Sequence, residues 1–171
     1  AVSLGAAVLN HARAGKLMRD ASGRVCGVEV HDELSGQVIE ARAKVVINAT
    51  GPWSDEVRAL AGEARILKPT KGVHVVVDSK RFPLNHALMM SSPRDKRVVF
   101  GIPWGLGRTV IGTTDTFFDG SPDKVEPTKD DVTYLLETAN AYFPGILLGN
   151  DDVLSTWSGL RPLLAPEDAS A

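Results

Sequence analysis

All ten prolines of this chain lie at or beyond Pro52, and its first 51 residues contain none. Proline fixes φ and removes a backbone donor, so it belongs in turns, sheet edges and element ends rather than inside central strands or helices. The skew predicts two regions of different architecture, 1–64 and 65–171, with the change falling around residues 62 to 70. A chain of 171 residues accommodates two small domains or one larger one. At that size it buries roughly 70% of its unfolded surface and folds without disulfide or metal staples.

The first region reads as strands followed by one helix. Val25 to His31 alternates apolar and polar residues, and Gln37 to Asn48 ends in the apolar run VVIN. The intervening DELSG supplies the Asp, Ser and Gly of a tight reversal, so a hairpin is predicted. AAVLNHARA reads as a short buried strand. After ATGP, Trp53, Val57, Leu60 and Ala61 recur at helical spacing, with Gly62 as the stop.

The second region reads as mostly antiparallel strand, over Val73–Asp78, Ala87–Met90, Val98–Trp104, Arg108–Thr113 and Val153–Ser158. Gly105-Leu106-Gly107 joins VVFGIPW to RTVIGTT as a short hairpin loop. Lys129 to Phe143 is the best helix. Thr128 caps it, Asp130 and Asp131 suit its positive end, and Val132, Leu135, Leu136 and Ala139 form the apolar stripe.

Composition narrows the function classes. Nineteen basic and 21 acidic side chains leave a net charge of −2, so no overall basic field attracts nucleic acid, and Lys68, Lys71, Lys80 and Arg81 have no aromatic platform beside them. One cysteine, Cys26, gives no internal disulfide. No apolar run reaches the ~20 residues of a membrane span, and AVSLGAAVLNHARAGK does not have the pattern of an export signal. The reading is a soluble, mildly acidic protein of a reducing compartment.

Four features bear on chemistry. GIPWGLGRTVIG is rich in glycine, but a strand rather than a helix follows, so it reads as a hairpin turn and not a phosphate cradle. His11, His31, His74 and His86 show no i, i+4 spacing and predict no metal site. His74 alternates into a valine strand and is either a packed histidine or a titrating one. In NATGPW, small residues at a strand end form either an ordinary tight turn or a place where backbone meets ligand. Arg161, in SGLRPLL, needs an anionic partner, either a structural carboxylate or a phosphate-bearing ligand.

The segments NATGPWSD, KGVHVVV, DKRVVFGIPW, VIGTTDT and STWSGLRPLL, in this order, resemble the FAD-dependent respiratory sn-glycerol-3-phosphate dehydrogenases from about Ala6 to Leu164. That family belongs to the glutathione-reductase-like flavoproteins of the D-amino-acid-oxidase type. The resemblance implies an α+β chain: an α/β remnant of an FAD-binding domain over 1–64, then an antiparallel substrate-binding domain over 65–171. It implies oxidation of sn-glycerol 3-phosphate to dihydroxyacetone phosphate with FAD as cofactor and a membrane quinone as electron acceptor. A homodimer, cytoplasmic and peripheral to the inner membrane, is part of the same expectation. Ala49, Thr50, Gly51 and Trp53 match the segment lining the FAD near its ADP portion. His74 and Arg161 match substrate-side catalytic residues, with Thr114 and Asp115 bordering the same pocket.

Two departures shape the expectation. The family's GxGxxG with its following Ser-rich, arginine-bearing stretch is absent from this sequence, as is its GGK-TTYR-like segment. The chain is therefore expected to be a central piece of the enzyme, inactive alone. A related flavin oxidase of the same fold and a non-catalytic module for an anionic metabolite remain the alternatives.

Overall fold

The computed structural model describes residues 1–165; the last six residues of the expected second domain lie outside them. The chain divides into two compact units, Ala1–Arg65 and Ile66–Ala171. Its helices are packed with antiparallel sheets, an α+β arrangement.

In the first unit, β1 (Ala12–Arg19), β2 (Val25–Asp32) and β3 (Val38–Arg42) form an antiparallel meander in that order. Asp32 shapes the β2–β3 reversal, accepting from the Leu34 N–H at 2.9 Å and from the Ser35 hydroxyl. Two sequence expectations fail here. Residues 6–11 are not a strand, and Val8 and Leu9 are exposed. β3 ends at Arg42, and VVIN runs on as irregular chain with Val45 and Ile47 exposed. In both cases the reason is the same: no described strand lies alongside to complete a ladder, and an unpaired strand is not stable in water. The expected helix forms as α1 (Ser54–Leu60), with Trp53 and Leu60 exposed and Asp55 as its buried residue.

The second unit is a six-stranded antiparallel sheet with one helix across its back. β4 (Thr70–Asp78) is central. On one edge it pairs along its length with β9 (Val153–Arg161); on the other it meets β7 (Arg108–Gly112) and then the two-residue β8 (Thr116–Phe117). Beyond β7 lie β6 (Val98–Gly105) and β5 (Leu88–Ser91). The β6–β7 connection is the expected hairpin, with Leu106 and Gly107 both at positive φ as a tight two-residue turn demands.

Period-two alternation sorts β4 cleanly. Val73, Val75 and Val77 point to the back with Val99, Ile111 and Met90, and meet Leu135, Leu136 and Ala139 of α2 (Lys129–Tyr142). Phe82 meets Phe143 edge to face at 5.0 Å, closing one end of this core. The front face has no helix among the described residues. One row crosses five strands there in register, Met89–Phe100–Gly112–His74–Trp157.

Thr128 and Asp131 form a capping box at the start of α2. Asp131 also receives the Lys71 ammonium at 2.6 Å, and both side chains are buried. Lys71, which reads in the sequence as one of four clustered cations, is in fact an anchor from β4 to the helix. Burial pushes the Asp131 carboxyl up, but hydrogen bonds from Lys71 and Thr128 outweigh it and hold its pKa below the ordinary 3.8. A carboxyl depressed by folding contributes stability above its ordinary pKa, lost as pH falls from there through the folded value. Lys71→Ala strands the Asp131 charge in the interior. It is expected to lower unfolding free energy by about 3–5 kcal/mol, read by urea denaturation at pH 7, with the deficit shrinking below pH 3.8 as the carboxyl protonates in the folded protein.

Candidate functional site

Between β7 and β8 the chain leaves the edge of β4 for three residues, Thr113, Thr114 and Asp115, and returns. Thr114 fills the gap in the ladder with its side chain. The Val73 N–H donates to Thr114 Oγ1 at 3.0 Å, and the Thr114 N–H donates to the Val73 carbonyl at 3.3 Å. The detour is thereby bonded to the centre of the sheet, with Thr114 buried.

Arg161, at the end of β9, sets its guanidinium against this detour. Nη2 donates to Thr113 Oγ1 at 3.1 Å, and both terminal nitrogens reach the Thr114 carbonyl at 3.4 Å. Nη1 bonds Asp115 Oδ1 at 3.2 Å, in an ion pair whose two side chains are 37% and 51% exposed. The charge is balanced but not sealed from solvent. Gly72 makes this possible, since a Cβ there would stand 2.6 Å from both Arg161 Nη2 and Thr113 Oγ1.

His74 lies one alternation further along the same face of β4. Its ring stacks on Trp157 with centroids 4.8 Å apart and planes 13° apart. On its other side is Gly112, where a Cβ would collide with the ring. Trp157 and the bare backbone of β7 thus confine the imidazole from two neighbouring strands. His74 Nδ1 and Thr70 Oγ1 are both buried and have no hydrogen-bond partner among the described residues. Leaving such atoms unpaired normally costs about 1–3 kcal/mol. Burial, then the nearby Arg161 charge, pushes the His74 pKa below 6.5, so the ring is neutral at pH 7.

His74, Trp157, Gly72 and Arg161 line one open cavity of about 250 Å³. Arg161 and Asp115 also line a second, of about 310 Å³, with Thr113, Arg97 and Val98. Of the residues singled out in the sequence, His74, Arg161, Thr114 and Asp115 therefore come together within the second unit. Thr114 uses its hydroxyl inward, on β4, and meets Arg161 through its carbonyl.

The other four, Ala49, Thr50, Gly51 and Trp53, belong to the first unit. Thr50 donates its N–H and its hydroxyl to Asn48 Oδ1, at 3.3 and 2.7 Å, and Asn48 Nδ2 donates to the Ser54 carbonyl at 3.0 Å. Asn48 thus clasps the turn leading into α1, with Ala49, Thr50 and Trp53 left exposed. Among the described residues no group of three or more His, Cys, Asp or Glu side chains is placed to hold a metal ion.

Sequence reasoning missed Gly72, Gly112, Trp157, Thr113 and Arg97. The first could have been found by carrying the period of two outward from His74, which puts Gly72 on the same face. The cross-strand partners needed the sheet order, which no local pattern supplies.

Residues 1–170 match the family described as FAD dependent oxidoreductase. Over 162 residues the chain is 43% identical to an aerobic glycerol-3-phosphate dehydrogenase of Staphylococcus haemolyticus, covering 94% of this chain and 29% of that protein. Over 169 residues it is 38% identical to the enzyme of the same name from Staphylococcus aureus strain USA300, covering 98% of this chain and 30% of that one. It superposes on the Bacillus halodurans glycerol-3-phosphate dehydrogenase, solved with FAD, with a TM-score of 0.88 and 42% identity, over 96% of this chain and 33% of that one. A glycine oxidase from Bacillus cereus shares the fold, at TM-score 0.61 and 24% identity, over 90% of this chain and 38% of that one. The chain spans under a third of the length of these curated relatives.

The geometry around His74 sets an expected titration. Followed by NMR in the full-length protein, its midpoint should fall below 6.5 and move upward in Arg161→Ala, which removes a positive neighbour. Because the unfolded chain takes the proton more readily, the same group should cost stability as pH drops from 6.5 towards that midpoint.

Proposed function

The chain belongs to the FAD dependent oxidoreductase family, and on that premise we propose that it serves as the central part of an sn-glycerol-3-phosphate dehydrogenase. The observation carrying this reading is the pairing, along one cavity, of a solvent-reachable guanidinium with a half-buried, neutral imidazole. Oxidising a phosphorylated secondary alcohol calls for a cation that holds an anionic substrate and a base that takes the hydroxyl proton. The names and identities of the relatives support the same assignment.

The residues present fit an FAD enzyme on two observations. Ala49, Thr50 and Trp53 are exposed and the turn is held by Asn48, so cofactor can lie against it without the turn being remade. The front of the second unit's sheet carries two buried polar atoms without partners among the described residues, beside glycines that leave the backbone bare. Ala49, Thr50, Gly51 and Trp53 would hold the cofactor. When bound, FAD supplies the acceptor for the hydride leaving C2 of glycerol 3-phosphate.

This chain's own residues do the rest. Arg161 binds and orients the anionic substrate, its fork fixed by Thr113, Thr114 and Asp115. His74 takes the C2 hydroxyl proton on Nε2, since Nδ1 is buried. Its depressed pKa keeps the ring uncharged at neutral pH, the Nδ1–H tautomer presents the Nε2 lone pair, and the stack on Trp157 fixes the ring plane. The product is dihydroxyacetone phosphate. Among the described residues no helix is long and apolar enough to cross a membrane. The remaining parts of this reading rest on the family resemblance: electrons pass to a membrane quinone, and the enzyme is a cytoplasmic homodimer peripheral to the inner membrane.

The test is Arg161→Ala in the full-length, FAD-loaded protein. Loss of a charge-assisted contact to the substrate is expected to cost about a hundredfold in kcat/KM for glycerol 3-phosphate, measured by quinone-dye reduction, with bound FAD unchanged. Wild-type kinetics in that variant would sink the assignment, and glycerol-3-phosphate-driven oxygen consumption without dye reduction would make the enzyme an oxidase instead.

A further inference from the structure

Among the described residues, the hydrogen bonds of the Arg161 guanidinium fall on three consecutive residues, Thr113, Thr114 and Asp115. Where that arginine points is therefore decided by what holds the detour. Thr114 is bonded to Val73 of β4, which secures the middle of it. The outer end needs its own restraint, because β8 pairs with β4 only through Thr116 and Phe117.

Arg97 supplies it. Its Nη1 donates to the backbone carbonyl of Asp115, the residue whose carboxylate meets Arg161. Arg97 is itself braced. Its Nε lies 3.4 Å from Asp95 Oδ2, and the Arg97 N–H donates to Asp95 Oδ1 at 3.1 Å. Asp95 in turn accepts from the Tyr134 hydroxyl at 2.8 Å. Tyr134 is a buried residue of α2, packed in the core behind the sheet. A continuous chain of polar contacts thus runs from the helix through Tyr134, Asp95 and Arg97 to Asp115 and Arg161. Arg97 stands at its narrowest point, gripping backbone rather than side chain.

We propose that Arg97 is a positioning residue: by holding the Asp115 carbonyl it fixes the 113–115 detour and so aims Arg161 at the anionic substrate. This rests on the reading of Arg161 as the substrate-binding cation. A guanidinium whose support has slackened still carries its charge, but it spends less of its time in the productive direction. The consequence falls on ligand affinity more than on cofactor or fold.

The experiment uses the full-length, FAD-loaded protein and dihydroxyacetone phosphate, which binds the oxidised enzyme without turning over. Its dissociation constant is measured by calorimetry in wild type, Arg97→Gln, Arg161→Ala and the double variant, with FAD content and Tm recorded for each. Arg97→Gln is expected to weaken binding about tenfold while FAD content and Tm stay near wild type. The double variant should bind no more weakly than Arg161→Ala alone, because Arg97 acts through Arg161. Arg97→Lys, which keeps one donor for the Asp115 carbonyl, should recover part of the loss, and it replaces Arg97→Gln in the cycle if that protein fails to hold FAD. Unaltered binding in Arg97→Gln beside a weakened Arg161→Ala would overturn the positioning role and leave the functional reading intact. Additive losses in the double variant would overturn it too, making Arg97 a direct ligand contact. If Arg161→Ala itself binds normally, the functional reading is what fails.

Discussion

A strand offers hydrogen bonds along two edges, and in the second unit both edges of β4 are in use along nearly the whole strand. One neighbour, β9, is continuous. The other is made from two strands with a gap between them, and the gap is closed by the Thr114 hydroxyl and N–H bonding to Val73. An open gap at the centre of a sheet would leave the Val73 N–H and carbonyl unpaired in the interior, which costs as much as a lost hydrogen bond or more. Thr114 meets that need from a chain that is no longer extended. The detour of Thr113 to Asp115 is thus at once part of the sheet and free to shape the surface above it.

The front of the sheet follows from that arrangement. A helix covers the back, so valines on alternate positions of β4 are committed to the core. The intervening positions, Thr70, Gly72 and His74, are released to the front. Gly72 and Gly112 are the positions where this face would otherwise be too thick. The guanidinium of Arg161 occupies the space over one and the imidazole of His74 the space over the other. Two side chains with opposite demands, a permanent cation and a neutral base, are seated a few residues apart by the absence of two methyl groups. Asp115 reconciles them. It balances the Arg161 charge while remaining half exposed, which leaves the guanidinium oriented and not deeply desolvated.

How much of this was legible in the sequence depends on range. The helix at Lys129, its capping by Thr128 and the β6–β7 hairpin rest on residues within a turn or two of one another, and they stand as read. Arg161 and His74 could be singled out because each is chemically out of place, a cation among leucines and a titrating ring among valines. The misreadings have one cause. AAVLNH and VVIN carry strand-like composition, but a strand exists only with a neighbour, and no described strand takes that place. Gly112, Trp157 and Arg97 were invisible for the complementary reason, since their importance lies in what stands opposite them across strands some 20 to 80 residues away in the chain.

The imidazole shows how pairing across strands becomes chemistry. A histidine in a protein interior is usually oriented by a hydrogen bond to one ring nitrogen, which also fixes the tautomer. His74 has no such partner at Nδ1 among the described residues, and its orientation comes from packing alone, from the indole of Trp157 and the bare backbone at Gly112. Packing confines the ring plane but is indifferent to where the proton sits. A ring held in this way can therefore gain or lose a proton without breaking the contacts that position it. Arg161 and the surrounding burial then bias the equilibrium towards the neutral form. In the proposed role, where His74 accepts a proton and later releases it, geometry that does not depend on protonation state is an advantage a hydrogen-bonded histidine lacks.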